Sequence, residues 1–208
     1  PRRPSLRVAV VLDEFSLSAF GYEWDQVEVT PSTWRSLLEE QPVDLLFVES
    51  AWHGNHDAWQ FHLTGPSAPR PAFVELVQWC RAHGIPTVFW NKEDPAHYAD
   101  FLDSARLFDH VFTTDSTRIE QYRLDLGHER GDVLPFAAQQ SIHNPVRPTT
   151  GHQSRDIAFA GTYFGHKYPE RREQLDLLLG AAVAVSPRMD TGLEIFSRYH
   201  GGDARYQF

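Results

Sequence analysis

The stretch IPTVFWNKEDP, residues 85–95, decides the fold. Thr87, Val88, Phe89 and Trp90 are β-branched or aromatic, and Pro86 and the polar run Asn91-Lys92-Glu93-Asp94 bound them. They read as a short buried strand that stops abruptly. In an open parallel sheet the ligand crevice lies outside the carboxyl ends of the strands. This strand ends in an amide, an ammonium and two carboxylates, and no other strand end in the chain is so densely functionalised. Asp94 before Pro95 also reads as a helix N-cap with proline at the first helical position. Glu93 and Asn91 are not needed for capping, which makes them the stronger functional candidates.

Working outward, the same alternation recurs on both sides. Residues 6–12 form a continuous apolar run, the pattern of a strand covered on both faces. An aromatic-rich loop leads to a short strand over 27–29. Thr30-Pro31 then opens a helix in which Trp34, Leu37 and Leu38 share a face. Residues 43–48 are the next buried strand, followed from Glu49 to Pro71 by a long loop broken by Gly65, Pro66, Pro69 and Pro71. Loops of that length in a compact domain are usually functional. Phe73, Leu76, Val77 and Cys80 repeat at helical spacing up to Gly84. Beyond the organising strand come a helix with Tyr98, Phe101, Leu102 and Ala105 on one face, a strand over 108–114, a helix with Ile119, Tyr122 and Leu126 closed by Gly127, and a strand over 132–136. Such β-α repetition with short connections predicts an α/β fold, a Rossmann-like, doubly wound and mostly parallel sheet. From 137 to 154 polar and turn residues replace the periodic pattern, which places a linker there. The pattern then restarts with a strand over 156–160, a glycine-flanked loop 161–165, a helix over 169–182 burying Leu175, Leu178, Leu179 and Ala182, and a strand over 193–196. The predicted division is therefore 1–150 and 151–208, the second part holding a single β-α-β and too few elements for a complete α/β domain.

Composition narrows the function classes. The chain has 208 residues, is 41% hydrophobic and carries a formal net charge of −9, which argues against holding a nucleic-acid backbone by bulk electrostatics. No apolar run approaches the roughly 20 residues of a membrane span. The start PRRPSLRVAVVL has arginines before an apolar run, but the run is too short for a signal peptide and Asp13-Glu14 follows it at once. The single cysteine, Cys80, sits at an apolar helical position, in keeping with the core of a protein in a reducing cytoplasm.

Motifs narrow them further. The first strand ends in Asp13-Glu14-Phe15-Ser16 without a G-x-G-x-x-G, so the usual dinucleotide loop is absent. No G-x-S-x-G elbow occurs either. His53, His56, Asp57 and His62 invite a metal-hydrolase reading, yet their spacing matches no familiar ligand motif, and no metal is expected. The alternative is that Trp52 and Trp59 pack the loop while His53 and Asn55 face the crevice, as sugar rings and their hydroxyls require. Gly161, followed by a helix whose early residues include Arg171 and Arg172, makes a phosphate seat of backbone N–H groups and guanidinium.

The segments DEFS (13–16), ESAWHGN (49–55), PTVFWNKEDP (86–95), FDHVFTTD (108–115), LPFAAQ (134–139), HNP (143–145), FAGTYF (159–164) and YPERR (168–172) resemble the CgeB-like, spore-maturation-type glycosyltransferases over nearly the whole chain and in the right order. The resemblance implies a GT-B architecture of two Rossmann-like domains, the first on the acceptor side and the second on the nucleotide-sugar side. It implies a nucleotide sugar as co-substrate with no further cofactor, and a glycan or polymer acceptor such as a bacterial surface polysaccharide. The matching segments place Asp13, Glu14, Glu49, Trp52, Asn55, Asn91, Lys92, Asp115, Gln139, His143 and Asn144 at the substrate. Gly161, Thr162, Tyr163 and Arg172 fall at the donor diphosphate. Glu93, Asp94 and His53 become the candidate bases if transfer inverts the sugar. The family's second domain continues well past Phe208, so the expectation is that these 208 residues do not transfer sugar alone. The competing expectation is a glycan- or protein-binding module without chemistry. An exposed strand edge at 193–196 predicts pairing into a homodimer.

Overall fold

The computed structural model describes residues 6–144, 146, 155–161, 168–189 and 192–197. The chain divides into two compact units, Pro1–Asn144 and Pro145–Phe208. In the first unit β1 (Arg7–Val11), α1 (Glu14–Phe20), β2 (Asp25–Glu28), α2 (Trp34–Glu40), β3 (Leu45–Glu49), α3 (Pro71–Ala82), β4 (Thr87–Asn91), α4 (Tyr98–Ala105), β5 (His110–Thr113), α5 (Ile119–Leu126) and β6 (Gly131–Val133) follow one another. All six strands pair in parallel in the order β2-β1-β3-β4-β5-β6. The expected Rossmann-like α/β sheet is therefore present. Strand order reverses between β1 and β3, the topological switch point at which such sheets open a crevice.

Burial on both faces explains the continuous apolar runs. Along β1, Ala9 and Val11 enter one cluster with Trp34 and Leu38 of α2, Phe73 and Leu76 of α3, Phe101 of α4 and Tyr122 of α5. Val8 and Val10 enter another with Leu17 of α1, Phe47 and Trp90. Four helices thus cover one face and α1 the other. Cys80 lies in the first cluster as a free thiol, and burial pushes its pKa up to about 12, which keeps it an inert core residue.

Several expected boundaries move. The aromatic-rich loop after β1 contains α1, whose seven residues EFSLSAF hide their periodicity because only Ser16 and Leu17 are buried. The helix expected to start at Asp94-Pro95 starts at Tyr98 instead, after His97. Asp94 is not its cap, because its carboxylate accepts hydrogen bonds from Asn91, Thr113 and Tyr122. The Gly127 closure stands as expected, with φ 69° and its N–H donated to Arg123 O. Residues 137–144, expected as linker, belong to the first unit, where buried Gln139 donates to Ala19 O and Glu23 Oε1.

In the second unit β7 (Ile157–Gly161) and β8 (Leu193–Ser197) pair in parallel around α6 (Pro169–Val185). Leu179 and Ala182 are buried as expected, whereas Leu178 is 64% exposed. Among the described residues no helix is long and apolar enough to cross a membrane.

The loop after β3 turns left-handed for four successive residues, with φ of 61° at Gly54, 43° at Asn55, 59° at His56 and 70° at Asp57. A Cβ at Gly54 would lie 2.9 Å from Trp59 Cβ and 3.1 Å from Val11 Cγ1, whereas at Gly84, also left-handed, it would meet nothing within 4 Å. Gly84→Ala is expected to cost about 1 kcal/mol, the left-handed penalty alone, and Gly54→Ala about 3 kcal/mol once overpacking is added. Urea unfolding of both variants checks this, and equal costs would refute the packing argument.

Candidate functional site

The carboxyl ends of β1, β3 and β4 meet at the switch point and bring three charges together. Glu49, the last residue of β3, is 0% exposed. Its carboxylate accepts from Asp13 N, Ser16 Oγ and Lys92 Nζ, the last at 3.1 Å. Lys92, just past β4, donates also to Asp13 Oδ2 at 3.0 Å. Asp13, just past β1, accepts from the backbone N–H groups of Trp52 at 3.2 Å, His53 at 3.1 Å and Gly54 at 2.8 Å.

The protonation tendencies follow from these contacts. Burial pushes the Asp13 pKa up, but the Gly54 N–H and the Lys92 ammonium outweigh it and hold the carboxyl below the ordinary carboxylate range. Burial works against the Lys92 ammonium as well, and the Glu49 and Asp13 charges overcome it, so Lys92 titrates above its ordinary value. For Glu49 burial wins, raising its pKa in spite of Lys92, Ser16 and Asp13 N. Lys92 is therefore a fixed cation that holds the strand ends together, rather than a proton donor near neutral pH.

A second cluster lies at the ends of β4 and β5. Asn91 is 0% exposed and donates through Nδ2 to Asp94 Oδ1 at 3.0 Å and to Tyr122 OH at 2.9 Å. Asp94 Oδ2 accepts from Thr113 Oγ1 at 2.6 Å and Tyr122 OH at 3.0 Å. Burial raises the Asp94 pKa against those donors. Glu93 donates its backbone N–H to Ser50 Oγ and Asn91 Oδ1, and among the described residues its half-buried carboxylate takes no hydrogen bond. Arg118 stands beside this cluster with its guanidinium 5.5 Å from the centre of the Tyr98 ring.

The loop after β3 supplies an imidazole. His53 Nδ1 lies 2.6 Å from Asp57 Oδ1, both side chains well exposed, and the Gln60 amide is 3.4 Å from the same nitrogen. Trp52 stacks edge-on to His97 and Phe101. His56 pairs with Glu28 instead. Among the described residues no group of three or more His, Cys, Asp or Glu side chains could hold a metal ion.

Other expected site residues face inward or stand apart. The Asn55 amide is buried, accepting from Leu12 N and donating to Val10 O and Val29 O, so it anchors the loop to the chain at and just past the ends of β1 and β2. Asp115 caps the turn that follows β5 by accepting from Thr117 N and Thr117 Oγ1. His143 Nδ1 accepts from Gln139 N, and Asn144 donates to Gln140 O and Ser141 O, so both close the turn that ends the first unit. Glu14 sits exposed in the first turn of α1. In the second unit Gly161 ends β7 and Arg172 lies in the first turn of α6, while Thr162 and Tyr163 lie outside the described residues.

Sequence reasoning passed over Ser16, Thr113 and the Tyr122 hydroxyl as site members. Tyr122 was visible only as an apolar helical position, and nothing in its neighbours marks the hydroxyl as a partner for Asp94. An opening of about 630 Å³ beside Arg81, Pro86 and Asp109 lies at the amino ends of β4 and β5 and holds an Arg81–Asp109 ion pair at 3.0 Å. It is remote from the crevice that the strand order creates.

Comparison with protein-family models, curated proteins and solved structures gives no significant match to this chain.

The charge cluster makes a quantitative prediction. Lys92→Met leaves Glu49 buried without its cation, and the expected loss is about 3 kcal/mol of stability. Adding Glu49→Gln should return at least about 1 kcal/mol of that loss through the coupling of the pair. Urea unfolding of the two single variants and the double variant measures the coupling, and strictly additive costs would show that the ammonium does not hold the strand ends.

Proposed function

We propose that this chain carries the acceptor-side half of a GT-B glycosyltransferase, a CgeB-like enzyme that moves a sugar from a nucleotide-sugar donor to an acceptor hydroxyl. The observation that supports this reading best is the His53–Asp57 pair beside the switch-point crevice. Glycosyl transfer forms a C–O bond from the acceptor oxygen to the anomeric carbon and breaks the C–O bond to the diphosphate, which departs with the electron pair. If the sugar is inverted, the acceptor proton needs a base. A carboxylate at Nδ1 fixes the imidazole proton there, so Nε2 keeps a lone pair for the acceptor hydroxyl. Glu93 is the second candidate, because its carboxylate is uncommitted among the described residues. Asp94 is better placed to hold strand ends, since both its oxygens already accept. In the second unit Gly161 and Arg172 stand at a strand end and a helix start, the positions from which backbone N–H groups and a guanidinium would take up the diphosphate charge.

One observation favours the second reading, a glycan-binding module without chemistry. Asp13 and Glu49, the carboxylates deepest in the crevice, are both tied to Lys92. Such a crevice can position hydroxyls without moving a proton.

Calorimetric titration with UDP-, GDP- and TDP-sugars and a transfer assay, both run on the longest native chain that carries these residues together with a complete donor-side domain, separate the two. The expected result is saturable heat with one nucleotide class and transfer that falls about 100-fold in His53→Gln, the contribution of a positioned base. The melting temperature should stay unchanged because the imidazole is exposed. Binding of free glycans with no response to any sugar nucleotide would overturn the transferase reading in favour of the module.

A further inference from the structure

On the face of the sheet that carries α1, a cavity of about 220 Å³ lies between that helix and the segment after β6. Ala19 and Phe20 of α1, Trp90 of β4, and Leu134 and Ala138 of the segment line it. Trp90 is only 3% exposed, and its indole N–H is spent on Leu134 O. Phe15 and Phe136 also line the cavity and are each 57% exposed, so their rings border its mouth.

The polar side chains at this cavity are already engaged. Ser16 donates to Glu49. The Gln139 amide donates to Ala19 O and Glu23 Oε1 and accepts from Ser141 N. Glu23 is the one charged residue that lines the cavity, and no Lys, Arg or His does. The space is therefore apolar and aromatic, with a negative charge at its side.

We infer that this cavity is a binding site for a flat aromatic ring system of bicyclic size that bears no negative charge. Size sets the upper bound, since an apolar cavity of about 150 Å³ admits benzene, and the larger volume here leaves room for a fused second ring. Ring chemistry follows from the walls, because Phe20, Trp90, Phe15 and Phe136 offer faces and edges to an inserted ring. Charge selection follows from Glu23, which repels a carboxylate. Ser16 stands both on the cavity wall and against Glu49, so a bound ring lies next to the charge cluster at the switch point. The site uses residues of the first unit alone and is independent of sugar transfer.

The test is titration of the whole chain with indole, tryptamine and indole-3-acetate by calorimetry or by chemical-shift changes. Indole and tryptamine are expected to bind saturably and indole-3-acetate at least tenfold more weakly. Ala138→Trp, which adds a ring at an exposed lining position, should weaken indole at least tenfold with the melting temperature retained, and Phe136→Ala is the second variant if the first does not fold. Absence of saturable binding, or binding that neither variant changes, would overturn the assignment. So would a concentration-dependent dimer that indole dissociates, because the cavity would then belong to a side chain of a second copy.

Discussion

One ammonium ties three strand ends together. Lys92 bridges Asp13 after β1 and Glu49 at the end of β3 while belonging itself to the end of β4. The bridge spans the switch point and joins the strands just beyond their last ladder pairs. Burial penalises all three charges, so the cluster holds only because the ammonium lies about 3 Å from each carboxylate and the surplus lone pairs of both carboxylates meet N–H and O–H donors. The consequences run outward along the chain. Asp13, fixed by Lys92, uses its oxygens to gather three successive backbone N–H groups from Trp52 to Gly54. That grip sets where the loop after β3 begins, and with it where the His53 imidazole stands.

The loop then does something most sequences avoid. Gly54, Asn55, His56 and Asp57 all take left-handed backbone angles, at a cost of about 1 kcal/mol or more for each residue with a side chain. Residue type limits the cost, since Asn, Asp and His visit this region more readily than most. The remainder is offset by bonds made inside the sheet. Asn55 makes three, with Leu12 N, Val10 O and Val29 O, and the Trp59 indole N–H makes another to Val29 O at 2.7 Å. Each is worth about 1 kcal/mol net, which is enough to match the strain. The turn also sets Asp57 beside His53, giving the imidazole its orienting carboxylate.

Strand positions were legible because burial on both faces leaves a strong apolar signature, clearest at residues 6–12 and 87–90. The gathering of polar groups at the strand ends was legible too, since Asp13, Glu49, Asn91, Lys92 and Glu93 all lie there. What each polar group does there was not. An amide that satisfies backbone groups and one that binds a sugar hydroxyl look alike in sequence, and the partners that decide between them are remote: Leu12 lies 43 positions before Asn55 and Ala19 lies 120 before Gln139. Asp94 illustrates the opposite error. Its Asp-Pro signature is that of a local cap, yet donors from Thr113 and Tyr122 take its carboxylate, and the helix starts only at Tyr98.

The direction of the crossovers explains why one face of this sheet is aromatic. From β2 onward every connection moves toward β6, and with right-handed crossovers that sets α2, α3, α4 and α5 on the same face. Only the step from β1 back to β2 runs the other way, so α1 alone serves the opposite face, and it is seven residues long. Large rings fill the space that helices would have covered. Phe20 stacks on Trp24 at 4.8 Å and meets Phe47 and Trp90, while Phe136 closes on Trp90 edge-on. Flat rings joined at angles cannot tile a surface as closely as a helix can, and the gap they leave falls where α1 meets the returning chain after β6. The topology that gathers charge at the strand ends thus also opens an apolar cavity beside them.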